Sequence, residues 1–163
     1  MTLKDRWLSA AQTLWDVMPQ SARRRVLFLT NDLFLVGVVG IVSDPEGRVL
    51  LLDHRFRTPW RWGLPGGFIT RGESLELGLE RELREEIGLT GVRVHGRHFD
   101  TEVRTERGYV SVALTATLDA APASIVPRSK TEIVGGGFYA QDEIPDGTYP
   151  YHRELLDRWF AAR

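Results

Sequence analysis

The sequence predicts an α/β (α+β) fold in which a mixed sheet is layered between helices. Three observations predict it. Short β-rich runs, separated by turn residues, fill the middle of the chain. One long helical pattern, residues 73–87, interrupts them, and amphipathic helical patterns occupy both ends. At 163 residues, against a prior of roughly 100–200 residues per domain, the chain reads as one domain with a small appendage. The expected division is an N-terminal helical extension over residues 1–30 and a main domain over 31–163.

Residues 2–18 place Leu3, Trp7, Leu8, Ala11, Leu14, Trp15 and Met18 at spacings of three and four, an amphipathic helix that ends before Pro19. Its two tryptophans suit docking on the body or on a second subunit, which would make a homodimer. Arg23–Arg25 reads as a solvated turn. Leu33–Ser43 is β-rich, Asp44-Pro-Glu-Gly47 is a turn, and Val49–Asp53 is the returning strand of a hairpin. Gly63–Gly67 reads as a loop. A helix follows from about Glu73 to Ile87, closed by Gly88. Val92–Val103 and Tyr109–Leu118 read as strands, and Ala120–Lys130, with Pro122 and Pro127, as a loop. Ile133–Ala140 is a strand weakened by three glycines, and Tyr151–Ala162 is a short terminal helix.

Composition narrows the function classes. Hydrophobic residues at 42% and charged residues at 26% exclude a mainly disordered or collagen-like chain. With 21 basic and 22 acidic side chains, a generally cationic nucleic-acid coat protein is excluded as well. The sequence has no cysteine, which removes disulfides, thiolate metal sites and Cys nucleophiles, and fits a reducing compartment. The longest apolar run, Leu33–Val42, falls far short of the roughly 20 residues a membrane-spanning helix needs. The start of the chain carries Lys4, Asp5 and Arg6 and lacks the apolar core of a signal peptide. The expectation is a cytoplasmic protein with no membrane partner.

Chemistry concentrates in residues 67–89, GFITRGESLELGLERELREEIGL. This window holds six glutamates and three arginines, a charge of −3 in a chain whose total is −1. On a helix, Glu82, Glu85 and Glu86 stand at i, i+3 and i+4 and share one face, while Leu75, Leu79, Leu83 and Ile87 form an adjoining apolar stripe. Clustered carboxylates call for cations. Either Arg81 and Arg84 supply them on an exposed helix, or a hard divalent ion does, of the kind that prefers oxygen ligands and bridges to phosphate. Gly78, one turn before Glu82, leaves space beside the carboxylates for a ligand or for tight packing.

The complete pattern decides between these. Gly67, five residues, Glu73, seven residues, and then Arg81-Glu82-Leu83-Arg84-Glu85-Glu86-Ile87-Gly88-Leu89 resembles the Nudix hydrolase signature with every defined position filled. Trp62-Gly63-Leu64-Pro65-Gly66 looks like its usual lead-in. The resemblance implies a Nudix-type α/β/α sandwich with a mixed sheet, here with an added N-terminal helix. By resemblance, Glu82, Glu85 and Glu86 would bind Mg²⁺ or Mn²⁺, with the Gly66 carbonyl as a further ligand. Arg81 would orient the glutamates and Glu73 would support the loop–helix geometry. The family cleaves a nucleoside diphosphate linked to another moiety, so the implied partner is a small-molecule derivative of that kind. Different members use different general bases. Glu82 and Glu85 are candidates inside the box; Glu132, before Phe138 and Asp142–Pro145, is a candidate outside it, with Glu106 its competitor.

Substrate recognition is expected from His54–Trp62, where arginines alternate with aromatics. Arg55, Arg57 and Arg61 suit phosphate oxygens and Trp60 suits a base. His54 reads as structural, and Arg104, Arg107 and Tyr109 as an opposite wall. Substrate markers are negative: no proline follows the box before Pro122, as ADP-ribose pyrophosphatases would have, and the NADH-type and coenzyme A-type motifs are missing. Two alternatives remain. One is a nucleotide-binding regulatory domain with little catalysis, disfavoured because no box glutamate is lost. The other is action on capped or triphosphorylated RNA, which keeps the chemistry and changes the partner, although nucleic acid is the less expected substrate. The first 30 residues are too few for a helix-turn-helix domain.

Overall fold

The computed structural model describes residues 2–128 and 131–163. The chain divides into two compact units, Met1–Phe34 and Leu35–Arg163. The first holds two helices, not one. Helix α1 (Leu3–Val17) starts at a capping box in which Asp5 N donates to Thr2 Oγ1 (3.2 Å) and Thr2 N donates to Asp5 Oδ2 (2.7 Å). Helix α2 (Gln20–Thr30) begins directly after Pro19, so Arg23–Arg25 lie on a helix rather than in a turn. The sequence reading took Pro19 as a stop only. Proline also starts helices well, and arginine is a good helix former.

The second unit is a seven-stranded mixed sheet with a helix on each face. Its strands are β1 (Leu35–Ser43), β2 (Val49–His54), β3 (Trp62–Gly63), β4 (Gly66–Phe68), β5 (Arg93–Arg104), β6 (Tyr109–Thr117) and β7 (Ile133–Tyr139). The order β3-β2-β1-β6-β5 is completed by β4 on β1 and β7 on β2. Strand β1 runs parallel to β6 along its whole length, Leu35 opposite Tyr109 to Ser43 opposite Thr117. The expected hairpin holds only where Ser43 faces Val49. Beyond that pair β1 and β2 part. Strand β4 takes up Gly37–Val39 of β1, while β3 and β7 pair with β2. Gly63–Gly67, expected as a loop, therefore contributes to two short strands. Backbone pairing to a waiting edge overrode the low strand propensity of glycine.

Side-chain alternation splits the core in two. Helix α3 (Leu75–Ile87) sets Leu79, Leu83 and Ile87 against Val38, Val42, Leu50, Leu52, Leu114 and Ala116. Helix α4 (Pro150–Ala161) sets Leu155, Leu156 and Trp159 against Val39, Ile41, Val49, Leu51 and Ala113. This is the α/β/α layering expected from the resemblance. Helix α3 starts later than Glu73, at the Ser74 cap, whose Oγ accepts from Leu77 N (3.3 Å), and it ends where Gly88 takes φ 70°. Gly78 leaves no ligand space, because the Ile69 side chain fills it. Of the loop expected over 120–130, residues 129 and 130 lie outside the described residues. Among the described residues, no helix is long and apolar enough to cross a membrane.

Candidate functional site

Helix α3 lays its glutamate face over β4, and two glycines set how closely they meet. A Cβ on Gly67 would fall inside the Glu82 carboxylate, so that carboxylate lies directly on the β4 backbone. Gly66, paired opposite Val39, has φ 149°, and a Cβ there would run into the Val38 backbone.

Arg81 is the hub of the box. Its Nε and Nη2 grip Glu73 as a fork, Nε to Oε1 at 2.8 Å and Nη2 to Oε2 at 3.0 Å, and Nη2 also donates to the Phe68 carbonyl at 2.8 Å. Its Nη1 donates to Glu82 Oε1 (2.7 Å) and to Glu85 Oε2 (3.3 Å). Glu73 in turn accepts from the Thr70 backbone N–H and hydroxyl, both at 3.0 Å. The Arg81 guanidinium, helped by the Thr70 N–H, draws the Glu73 carboxyl down to about 2, and the carboxylates raise Arg81 above its ordinary value. Three stretches of chain, the β4 end, the loop and the helix, are pinned by one side chain. Arg81→Lys keeps the charge and loses the fork. Activity is expected to fall about 10–100-fold, as for residues that orient ligands. The change should also lower the melting temperature; wild-type kinetics with wild-type melting would remove Arg81 from this role.

Glu86 is different. It is buried, at 6% exposure, and among the described residues its Oε2 has no hydrogen-bond partner. Burial, with the Glu82 charge beside it, pushes its carboxyl up to about 8; Arg57 and the Gly66 backbone N–H pull the other way. Glu85 is half-exposed, at 56%, and turned to Arg81. Among the described residues, no three Asp, Glu or His side chains are gathered into a cage. The donors still fit a hard divalent ion. They are all oxygen, one buried carboxylate oxygen lacks a partner, and Mg²⁺ commonly binds through one or two carboxylates plus substrate phosphate.

The remaining sequence candidates separate. Glu132 sits in the turn before β7, where its carbonyl accepts from Arg55 N (2.8 Å) and its charge acts on both Glu86 and Arg57. Glu106, on the turn between β5 and β6, acts on Arg104. Arg61 is paired with Asp53 (2.7 Å). Trp60 is 42% exposed, while Trp62 packs edge-on against Tyr139. The sequence reading missed the start of α4. Leu64 N donates to His152 Nδ1 (3.0 Å) across 88 residues, and Tyr149 stacks edge-on on His152 while its hydroxyl donates to Glu102 (3.3 Å). Nothing in the local sequence links these groups, and only the packing of α4 unites them.

A family model of the NUDIX domain matches residues 33–159. The chain is 46% identical over 63 residues to an RNA pyrophosphohydrolase of Caulobacter vibrioides, a match covering 38% of this chain and 36% of that protein. It is 30% identical over 115 residues to a MutT-like protein of Streptomyces ambofaciens, covering 70% of this chain and 69% of that one. Among solved structures, a NUDIX hydrolase from Nitrosomonas europaea superposes with a TM-score of 0.69 at 25% identity, over 82% of this chain and 73% of its own. The domain match spans most of the chain and includes the whole of α3 with Arg81, Glu82, Glu85 and Glu86, and on that ground the chain belongs to the Nudix hydrolase family.

Proposed function

We propose that this chain is a divalent-metal-dependent pyrophosphohydrolase that cleaves a nucleoside diphosphate linked to another moiety, with residues 31–163 carrying the activity and 1–30 as an extension. The observation that carries the reading is the buried Glu86 beside the part-buried Glu82 against β4, with Glu86 Oε2 unpartnered among the described residues and Arg57 opposite in charge. Glu82, Glu85 and Glu86 would hold the ion, joined by the Gly66 carbonyl. Bound there, Mg²⁺ or Mn²⁺ would neutralise phosphate oxygens, polarise the phosphorus and lower the pKa of attacking water.

The protein's own groups do the rest. Arg81 keeps Glu82 in place through the 2.7 Å bond and, with Glu73, stiffens the loop that leads into α3. Glu82 and Glu85 each have an oxygen committed to Arg81. Glu132 carries no ion pair among the described residues and faces Glu86 in charge, so it is our choice for the group that takes the proton from water. Arg55, Arg57, Arg61 and Trp60 remain the candidate substrate contacts.

A second reading keeps the chemistry and changes the substrate. Similarity to an RNA pyrophosphohydrolase supports removal of pyrophosphate from a triphosphorylated RNA end. One screen tests both, with Mg²⁺ or Mn²⁺ against nucleoside diphosphate derivatives, dinucleoside polyphosphates, nucleoside triphosphates, and capped or triphosphorylated RNA. Release of a nucleoside monophosphate from a diphosphate derivative is the expected result. Pyrophosphate released from RNA alone would favour the second reading. No product from any of them would leave a nucleotide-binding module and overturn both.

A further inference from the structure

The segment between β2 and β3 carries three arginines, and the fold treats them differently. Arg61 is tied to Asp53 at 2.7 Å. Arg55 is engaged too, its backbone N–H donating to the Glu132 carbonyl at 2.8 Å and the residue holding a further partner. Arg57 is exposed as a residue, yet its guanidinium lies against the protein. The place a Cβ would take on Gly63 is 2.8 Å from Arg57 Nη1 and 3.0 Å from His152 Nδ1. Only a residue without a side chain lets these two groups meet there.

Among the described residues, Arg57 makes no hydrogen bond and no ion pair. Loss of water lowers its pKa, and Glu86, Tyr109, Tyr149 and Glu132 all face it in charge without touching it. Two buried histidines, His54 and His152, flank it; burial first and Arg57 second hold each down to about 3, so neither adds a positive charge at neutral pH. A guanidinium that lies against the protein without an ion pair stays free to bind an anion, and its planar fork suits phosphate oxygens. The unpartnered Oε2 of Glu86 is its counterpart across the site.

We propose that Arg57, rather than the other cations of its segment, is the anchor for the anionic phosphate oxygens of the substrate, while Arg61 serves the scaffold. This rests on the pyrophosphohydrolase reading above and narrows its substrate contacts. A carboxylate face on α3 meets the diphosphate through cations, and a guanidinium fork meets it directly from the other side. The fork is left open because its partner arrives with the substrate.

The test is calorimetric binding of methylenediphosphonate, a pyrophosphate analogue that is not hydrolysed, to the full chain in Mg²⁺ and in chelator. Arg57→Ala is expected to weaken binding about tenfold or more, since a charge-assisted fork is lost, and Arg57→Lys to weaken it less. Arg93→Ala, which removes a distant exposed arginine paired with Asp119, is expected to stay within about twofold. Melting supplies the second readout. Arg57→Ala should melt no lower than wild type, because the group it removes is unpaired in the free protein. Wild-type affinity in Arg57→Ala, an equal loss in Arg61→Ala, a clear drop in the Arg57→Ala melting temperature, or no binding by wild type would each overturn the proposal. Lost binding in Arg57→Ala of a protein that hydrolyses no substrate would support the anchor and overturn the hydrolase reading instead.

Discussion

Glu86→Gln is expected to cut turnover by about a hundredfold or more, because residues that merely orient metal ligands already cost about 10–100-fold when changed. The same variant should melt higher than wild type in chelator at alkaline pH. Burial raises the Glu86 carboxyl from its ordinary 4.5 to about 8. Between those values the folded chain holds a proton that the unfolded chain has lost, so wild-type stability falls as pH rises through that window. Gln carries no such charge and shows no such slope. Melting curves in chelator from about pH 5 to about pH 9 should therefore diverge toward the alkaline end. Glu85→Gln gives the contrast. Glu85 is half-exposed, so its loss should touch turnover without this stability effect. Full turnover in both variants would remove the metal assignment, and parallel melting curves would remove the buried-charge account of Glu86.

Gly66→Ala is expected to destabilise the main domain by about 3 kcal/mol or more, lowering its melting temperature by roughly 10 °C. The added Cβ would lie 2.8 Å from Val39 Cα and run into the Val38 carbonyl, and these are backbone atoms of a central strand that cannot step aside. The left-handed φ adds strain of its own. Gly78→Ala meets the end of one flexible side chain, Ile69, and should be milder. Thermal denaturation of both variants checks the contrast, and equal melting would mean that β4 is not held as tightly to β1 as this register implies.

Much of the site was legible because its logic is local. The placement of Glu82, Glu85 and Glu86 on one face follows from helix periodicity alone, and so does the neighbouring stripe of Leu79, Leu83 and Ile87. Strong strands such as Leu35–Ser43 and a helix ended by Gly88 were readable for the same reason. The errors fell where partners outweighed local preference. Glycines at 63–67 became strand because β1 and β2 offered free edges, and Arg23–Arg25 became helix because Pro19 restarted one.

The sequence by itself determined the family, since the whole pattern that carries the resemblance, Gly67 to Leu89, is local to one loop and one helix. The tertiary structure decided how the three glutamates differ. Glu86 is buried beside Gly66, Glu82 is part-buried and clasped by Arg81, and Glu85 is half-exposed at the edge of the same Arg81 clasp, though their spacing treats them alike. It also decided which arginine of the β2–β3 segment has no hydrogen bond or ion pair among the described residues, through Asp53, Gly63 and a histidine that reaches the end of β3 from helix α4. Spacing along a helix sets direction, whereas desolvation and pairing depend on what the rest of the chain brings alongside.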